Sequence, residues 1–180
     1  MNARGGDRIA GDVNRGAGEA HPDPDVLSAT AELEFPYQHS TGPVIGRFLT
    51  ALRDERRVYG IECRACRLVL VPPQDYCEVC GGPVADPISA SNWREVGPEG
   101  TVTTFAVVRR SQAIHPVPAP FAYALIRLDG ANTDLLHIVH AADYTSLPAG
   151  ARVRPVWKDE RNGSILDISH FELLPTEDPG

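Results

Sequence analysis

The chain is short of the residues that most often carry chemistry. It has four cysteines, one methionine and two tryptophans in 180 residues, and Lys158 is its single lysine. No apolar run approaches the ~20 residues that cross a bilayer. The first twenty residues, MNARGGDRIAGDVNRGAGEA, contain no apolar stretch of the kind a secretory signal needs, so the expected compartment is the cytoplasm. There is no GxSxG, HExxH, P-loop or GxGxxG, which removes the common signatures of serine hydrolases, zinc peptidases and nucleotide-binding enzymes. The six histidines are scattered. His137, His140 and His170 fall in strand-like segments and His115 in a proline-rich loop, and none pairs by sequence with an acid that would make it a general base.

What is present is unevenly distributed. The formal net charge is -7. Residues 1–34 hold three basic and seven acidic groups, residues 43–71 hold six arginines against three acids, and residues 72–180 hold eight basic and fourteen acidic groups. A chain that lives on nucleic acid normally shows a broad basic footprint. Here one basic segment lies between two acidic ones.

Four regions are legible. Residues 1–34, rich in Gly, Ala, Asp and Pro, have too few large apolar groups to offset ordering entropy and read as a disordered acidic tail. Residues 35–57 form a helical segment, with Thr41 or Gly42 as cap, Pro43 at the first helical position and Val44, Phe48 and Leu52 on one face. Residues 58–86 hold every cysteine. From residue 95 to 175 the pattern turns to period two, giving strands near 100–110, 121–129, 133–140, 151–160 and 164–174. The segment AADYTSL between the third and fourth strands is expected to be a short helix, and RNG at 161–163 a tight hairpin turn. The fold class is mainly β: a helix and a four-cysteine ribbon followed by a five-stranded OB-fold barrel, with a sandwich as the alternative that period two also allows.

The cysteines carry the clearest chemistry. Cys63 and Cys66 form one CxxC, Cys77 and Cys80 a second, with ten residues between them. Two CxxC turns place four sulfurs around one ion, a closed tetrahedral set that suits Zn²⁺ and gives it a structural role. Iron accepts the same set, so spacing does not separate the metals, and a rubredoxin-like electron carrier stays open as a reading. With all four thiols used as ligands, no cysteine is left to act as a nucleophile.

The helix, YGIECRACRLVLVPPQDYCEVCGG, the opening strand EGTVTTFAVV and the later LPAGARVRPVW together resemble the rubredoxin-like zinc-ribbon plus OB-fold proteins associated with acyl-CoA enzymes. The resemblance covers about Pro43 to Leu174. Arg67 stands where that family often has Gly, and Glu78 where it often has Pro. The resemblance implies a non-catalytic accessory subunit that stabilises a thiolase-fold partner, such as the retro-aldolase of steroid side-chain degradation or a thiolase, in an α2β2 hetero-oligomer. It implies a shared acyl-CoA ligand, with catalytic residues supplied by the partner. Arg53, Arg56, Arg57, Arg64, Arg67, Arg109 and Arg110 are then candidates to meet coenzyme A phosphates or an acidic partner surface, and Phe121 to line the channel. The competing reading is a single-stranded nucleic-acid binder, in which Phe105, Phe121, Tyr123, Trp157 and Phe171 would stack bases.

Overall fold

A computed structural model describes residues 39–84, 90–145 and 147–175. The expected tail at 1–34 and the start of the 35–57 segment lie outside the described residues.

Helix α1 spans Gly42–Glu55, with Pro43 in its first turn. Its buried face is Val44, Phe48, Ala51 and Leu52, the i, i+4, i+8 positions of the sequence with one alanine beside them. Thr41 occupies the N-cap position but makes no capping bond with its side chain. Arg56 ends the helix in the left-handed region, at φ 55°, and its N–H donates to the Ala51 carbonyl. The guanidinium of Arg161, far along the chain, donates to the Arg53 carbonyl at 2.8 Å. A carbonyl of the last turn, which has no partner within a helix, is thereby satisfied from the barrel side.

Strand β1 (Val58–Glu62) follows and is the centre of a three-stranded antiparallel sheet. Its neighbours are β2 (Val69–Leu70) and β3 (Trp93–Val96). A Cβ on Gly60 would sit 2.6 Å from Val69 Cγ1 and 2.9 Å from Val71 Cγ2, so β1 needs glycine at this crossing. Strand β3 was not anticipated from the sequence. Its burial runs buried, exposed, exposed, buried, with Arg94 and Glu95 in the middle, so four residues offer no period-two signal.

The remaining strands are β4 (Gly100–Val108), β5 (Phe121–Leu128), β6 (Leu135–His140), β7 (Arg152–Trp157) and β8 (Ile168–Leu173). They close into a barrel in the order β4-β5-β6-β8-β7, with β7 returning to β4. Only β6 and β8 pair in parallel. Numbered within the barrel this is 1-2-3-5-4, the five-stranded OB arrangement, and the sandwich alternative falls away. A bulge at Thr103 shifts the β4–β5 register, which lets Val102 and Phe105 both turn toward the core. Val102, Ala122, Ala124, Ile126, Leu128, Leu135, Val139, Val153 and Phe171 are all buried in one core that runs on into Phe48, Leu52, Ile61 and Trp93. The ribbon sheet and the barrel therefore share their interior.

Two connections differ from expectation. Residues 141–145 form a bend and a turn rather than a helix, with Ser146 outside the described residues. The Asp143 carboxylate accepts from the Thr145 N–H and hydroxyl at 2.8 and 2.7 Å, a local turn that competes with helix formation. The β7–β8 connection is not a tight hairpin but a longer loop ending in a 3-10 turn at Ile165–Asp167. Asp167, 2% exposed, accepts from the N–H groups of Asn162, Gly163 and Ser164 at 3.1, 2.8 and 3.2 Å. One buried carboxylate thus replaces the turn that RNG announces.

His137 also sits inside the barrel. Its Nδ1 accepts from the Ile138 N–H at 2.9 Å, which leaves the proton on Nε2 to donate to the Ile165 carbonyl at 3.1 Å. Burial holds this imidazole below its ordinary pKa, consistent with a neutral ring that ties β6 to the 3-10 turn.

Candidate metal centre

The two CxxC segments fold into turns with matching backbone bonds. In the first, the Cys63 N–H donates to the Leu68 carbonyl and the Arg67 N–H to the Cys63 carbonyl, both at 2.8 Å. In the second, the Cys77 N–H donates to Gly82 at 2.9 Å and the Gly81 N–H to Cys77 at 2.8 Å. Arg67 and Gly81 are the corresponding residues, and both are left-handed, at φ 64° and 69°. Glycine adopts this conformation freely, whereas an L side chain pays about 1–2 kcal/mol for it.

These turns bring all four sulfurs within 4.8 Å of one another. Cys63 and Cys80 are 3.6 Å apart, and Cys66 and Cys77 3.5 Å. Four sulfurs at ~2.3 Å from a central ion would be roughly 3.8 Å apart, so the spacing fits a tetrahedral centre. The backbone N–H groups of Cys66 and Ala65 pull the Cys63 thiol down to about 6. Cys77 is lowered in the same way by the N–H groups of Cys80 and Val79. At Cys66 the Leu68 N–H acts downward too, but burial and the neighbouring thiols outweigh it and push that group up to about 12. Four thiolates this close repel one another, and a divalent cation at their centre removes the conflict. The donor set is soft, closed and complete, the chemistry of a structural metal. Cys63 and Cys77 are buried, Cys66 is half-buried and Cys80 is exposed.

The outer edge of the ribbon is closed by the barrel. The Asn132 Oδ1 accepts from the Val69 N–H at 2.8 Å, while the Asn132 N–H donates to the Val69 carbonyl at 2.8 Å. The Thr133 hydroxyl accepts from the Val71 N–H at 2.7 Å and donates to the Val71 carbonyl at 3.0 Å. The β5–β6 loop thus takes the place of a further strand. Asn132→Ala removes the acceptor of the Val69 amide, so that amide is expected to exchange with deuterium at least about tenfold faster, the equivalent of ~1.4 kcal/mol for one lost bond. Unchanged protection at Val69 would show that Asn132 does not hold this edge.

The arginines predicted to face coenzyme A or a partner divide into two groups. Arg53 is paired with Asp54 at 2.7 Å, Arg57 with Glu95 at 3.3 Å and Arg67 with Glu62 at 2.7 Å. Arg56, Arg64, Arg109 and Arg110 are exposed and make no ion pair among the described residues. Phe121 is fully buried, edge-on to His115 of the proline-rich loop and to Tyr123. Of the other aromatic candidates for base stacking, Phe171 is fully buried, and Phe105 and Trp157 pack against the core. Sequence reasoning missed Glu62, Arg94, Asn132 and Thr133. Glu62 had a readable signal: an acid next to the first cysteine at the end of the otherwise apolar run VYGIE. The loop pair had none, because the partners lie more than sixty residues away.

Residues 50–84 match the ChsH2 rubredoxin-like zinc ribbon domain, and residues 93–158 match the ChsH2 C-terminal OB-fold domain. The chain belongs to the ChsH2 family. Among solved structures, a protein of unknown function from the DUF35 family of Sulfolobus solfataricus is 20% identical, with a TM-score of 0.52 over 74% of this chain and 85% of that one. That likeness is one of fold. A chain of the Ltp2-ChsH2(DUF35) aldolase is 21% identical, with a TM-score of 0.49 over 71% of this chain and 91% of the other. No curated protein matches significantly. The two ChsH2 domains meet at β3, which lies in the OB-fold match by sequence but pairs with β1 of the ribbon.

Proposed function

We propose that this ChsH2-family chain is the non-catalytic accessory subunit of a thiolase-fold enzyme that cleaves a carbon–carbon bond in an acyl-CoA thioester. The observation that carries this reading is the presence of both ChsH2 domains, in order, in one chain. ChsH2 is also named as a component of the Ltp2-ChsH2(DUF35) aldolase. Aldol cleavage is therefore preferred over thiolysis, with a steroid side chain as the leading acyl group. The chain binds the larger subunit, stabilises it and forms part of the wall of the acyl-CoA site. The ion is zinc, held by Cys63, Cys66, Cys77 and Cys80, and it orders the ribbon without taking part in the reaction. Both His137 nitrogens are engaged in hydrogen bonds, so this buried ring is not available as a base. Arg56, Arg64, Arg109 and Arg110, free of local ion pairs among the described residues, are the proposed contacts to coenzyme A phosphates or to an acidic surface of the partner.

Co-expression with a thiolase-fold protein tests the proposal. The two chains are expected to elute as one complex, and cleavage of the CoA thioester is expected only from that complex. Separate elution, with the larger protein fully active alone, would overturn it.

A further inference from the structure

The two halves of the metal centre share a backbone but not their surroundings. In the first turn, the residue before the leading cysteine is Glu62, only 8% exposed. Its Oε1 lies 2.7 Å from Arg67, the residue that follows the second cysteine of that turn. Its Oε2 lies 2.8 Å from Arg94 on β3. Arg94 is itself fixed, donating to the Ser91 and Trp93 carbonyls at 2.8 and 3.1 Å, and the Asn92 amide donates to the Glu62 carbonyl at 3.2 Å. The side chains of Glu62 and Arg67 therefore close a ring across the four residues Cys63 to Cys66, alongside the backbone bond from Cys63 to Leu68. In the second turn the corresponding residues are Tyr76, which is 66% exposed, and Gly81, which has no side chain. Among the described residues no side-chain ion pair spans that turn, which is closed by main-chain bonds alone, Cys77 to Gly82 and Val84 to Asp75, both at 2.9 Å, and it also carries the exposed ligand, Cys80.

We infer that Arg67 is a positioning residue of the metal centre: held by Glu62, it fixes the first cysteine turn as the rigid half, so that metal enters and leaves through Cys77 and Cys80. The argument turns on residue 67. Its N–H donates to the Cys63 carbonyl, and the next N–H, that of Leu68, bonds the Cys66 sulfur. The conformation of one residue thus sets a ligand on each side of it. A glycine takes that left-handed conformation without strain but gives it up as readily, because its backbone has the most freedom to lose. Arginine is strained there, yet its guanidinium is anchored to a nearly buried carboxylate whose other oxygen is anchored in turn to β3. The charge-assisted bond therefore does what the backbone preference of glycine does not: it ties the turn to the sheet beneath it. The nearly buried Glu62 is paired by this cation together with Arg94, as a carboxylate removed from water must be to remain stable. This inference concerns the metal half alone and does not depend on the existence of a thiolase-fold partner.

The test uses the full chain loaded with zinc and an excess of a chromogenic chelator, with Arg67→Gly, Arg67→Lys, Glu62→Gln and the double variant Glu62→Gln/Arg67→Gly. Arg67 is largely exposed, so its glycine variant is expected to fold. Removing a group that orients metal ligands commonly changes metal affinity by roughly 10–100-fold. Arg67→Gly and Glu62→Gln are each expected to release zinc about tenfold faster than the parent, the double variant no faster than either single one, and Arg67→Lys in between. During release, N-ethylmaleimide followed by peptide mass spectrometry is expected to label Cys77 and Cys80 first in the parent, and all four cysteines together in Arg67→Gly. Zinc held as long by Arg67→Gly as by the parent overturns the inference, because relief of backbone strain would then be the whole effect. Additive losses in the double variant, or first labelling at Cys63 and Cys66 in the parent, overturn it equally.

Discussion

Cys77→Ser loses the metal and unravels residues 58–84, while the barrel strands stay protected. The reason is a matter of size. Binding of a structural zinc ion is worth about 10–16 kcal/mol in small ribbons, comparable to the about 5–15 kcal/mol that stabilises a whole domain. The ribbon has little else of its own. Strand β2 is two residues long, and several of the ribbon's buried groups (Val58, Ile61, Leu70, Val71 and Val84) pack in a core they share with α1 and Trp93. Serine at position 77 removes a buried ligand to which the Val79 and Cys80 N–H groups point. The barrel closes its own ring of main-chain bonds from β4 to β8, which does not pass through the ribbon. Elemental analysis is expected to fall from one ion per chain to none. Deuterium exchange is expected to rise across 58–84 and stay low in β5, β6 and β8. A variant that keeps a full complement of metal, or the parent's exchange pattern in the ribbon, would sink this account.

Phe171→Ala is the second change with a large expected effect, about 3–5 kcal/mol lost from the stability of the barrel. Phe171 is fully buried on β8, between its parallel partner β6 and its antiparallel partner β7. Its ring stands edge-on to His137 with centroids 5.4 Å apart. The wall formed by β4 and β5 presents the small residues Gly100, Ala122 and Ala124 beside the buried Val102, Ile126 and Leu128, and Phe171 belongs to the same core. Gly100 is hemmed in by the Arg127 carbonyl at 2.7 Å from where a Cβ would be, and a closed barrel cannot contract around a void as an open sheet can. His137 would also lose the ring beside it. Urea unfolding followed by circular dichroism measures the change, and a loss under about 1.5 kcal/mol would mean that the barrel repacks far more readily than this interior implies.

The parts that were legible in the sequence are those whose signal is local. Two CxxC pairs define a tetrahedral sulfur set almost without regard to context, and the structure brings the four sulfurs together. Val44, Phe48 and Leu52 repeat at helical spacing, and they are the buried face of α1. The period-two segments became the five barrel strands, and the alternation is clearest in β5, where Ala122, Ala124, Ile126 and Leu128 are buried and the residues between them are not. What was not legible depends on distant partners. Strand β3 exists because β1 pairs with it, not because Trp-Arg-Glu-Val alternates. The 141–145 turn exists because the Asp143 carboxylate competes for local N–H groups, and the β7–β8 loop because Asp167 collects three of them. Arginine counting found a basic segment but not its internal pairing. Arg67 reads as a surface charge until Glu62 is seen beside it, and no spacing rule predicts that an arginine will occupy a left-handed position.

Strand β3 has one further consequence, for attempts to recombine these proteins. The gap between the two matched domains, residues 85–92, looks like the natural splice site for exchanging ribbons among family members. A splice there would leave β3 with the recipient barrel and give it a foreign β1 to pair with, so the transplanted ribbon would meet a mismatched Trp93 and an Arg94 with no matched carboxylate. The interchangeable unit is instead the ribbon together with Trp93–Val96, and a second seam runs through Asn132 and Thr133. Inheritance of this metal module is therefore a matter of two surfaces that must change in step, one before the barrel begins and one halfway round it.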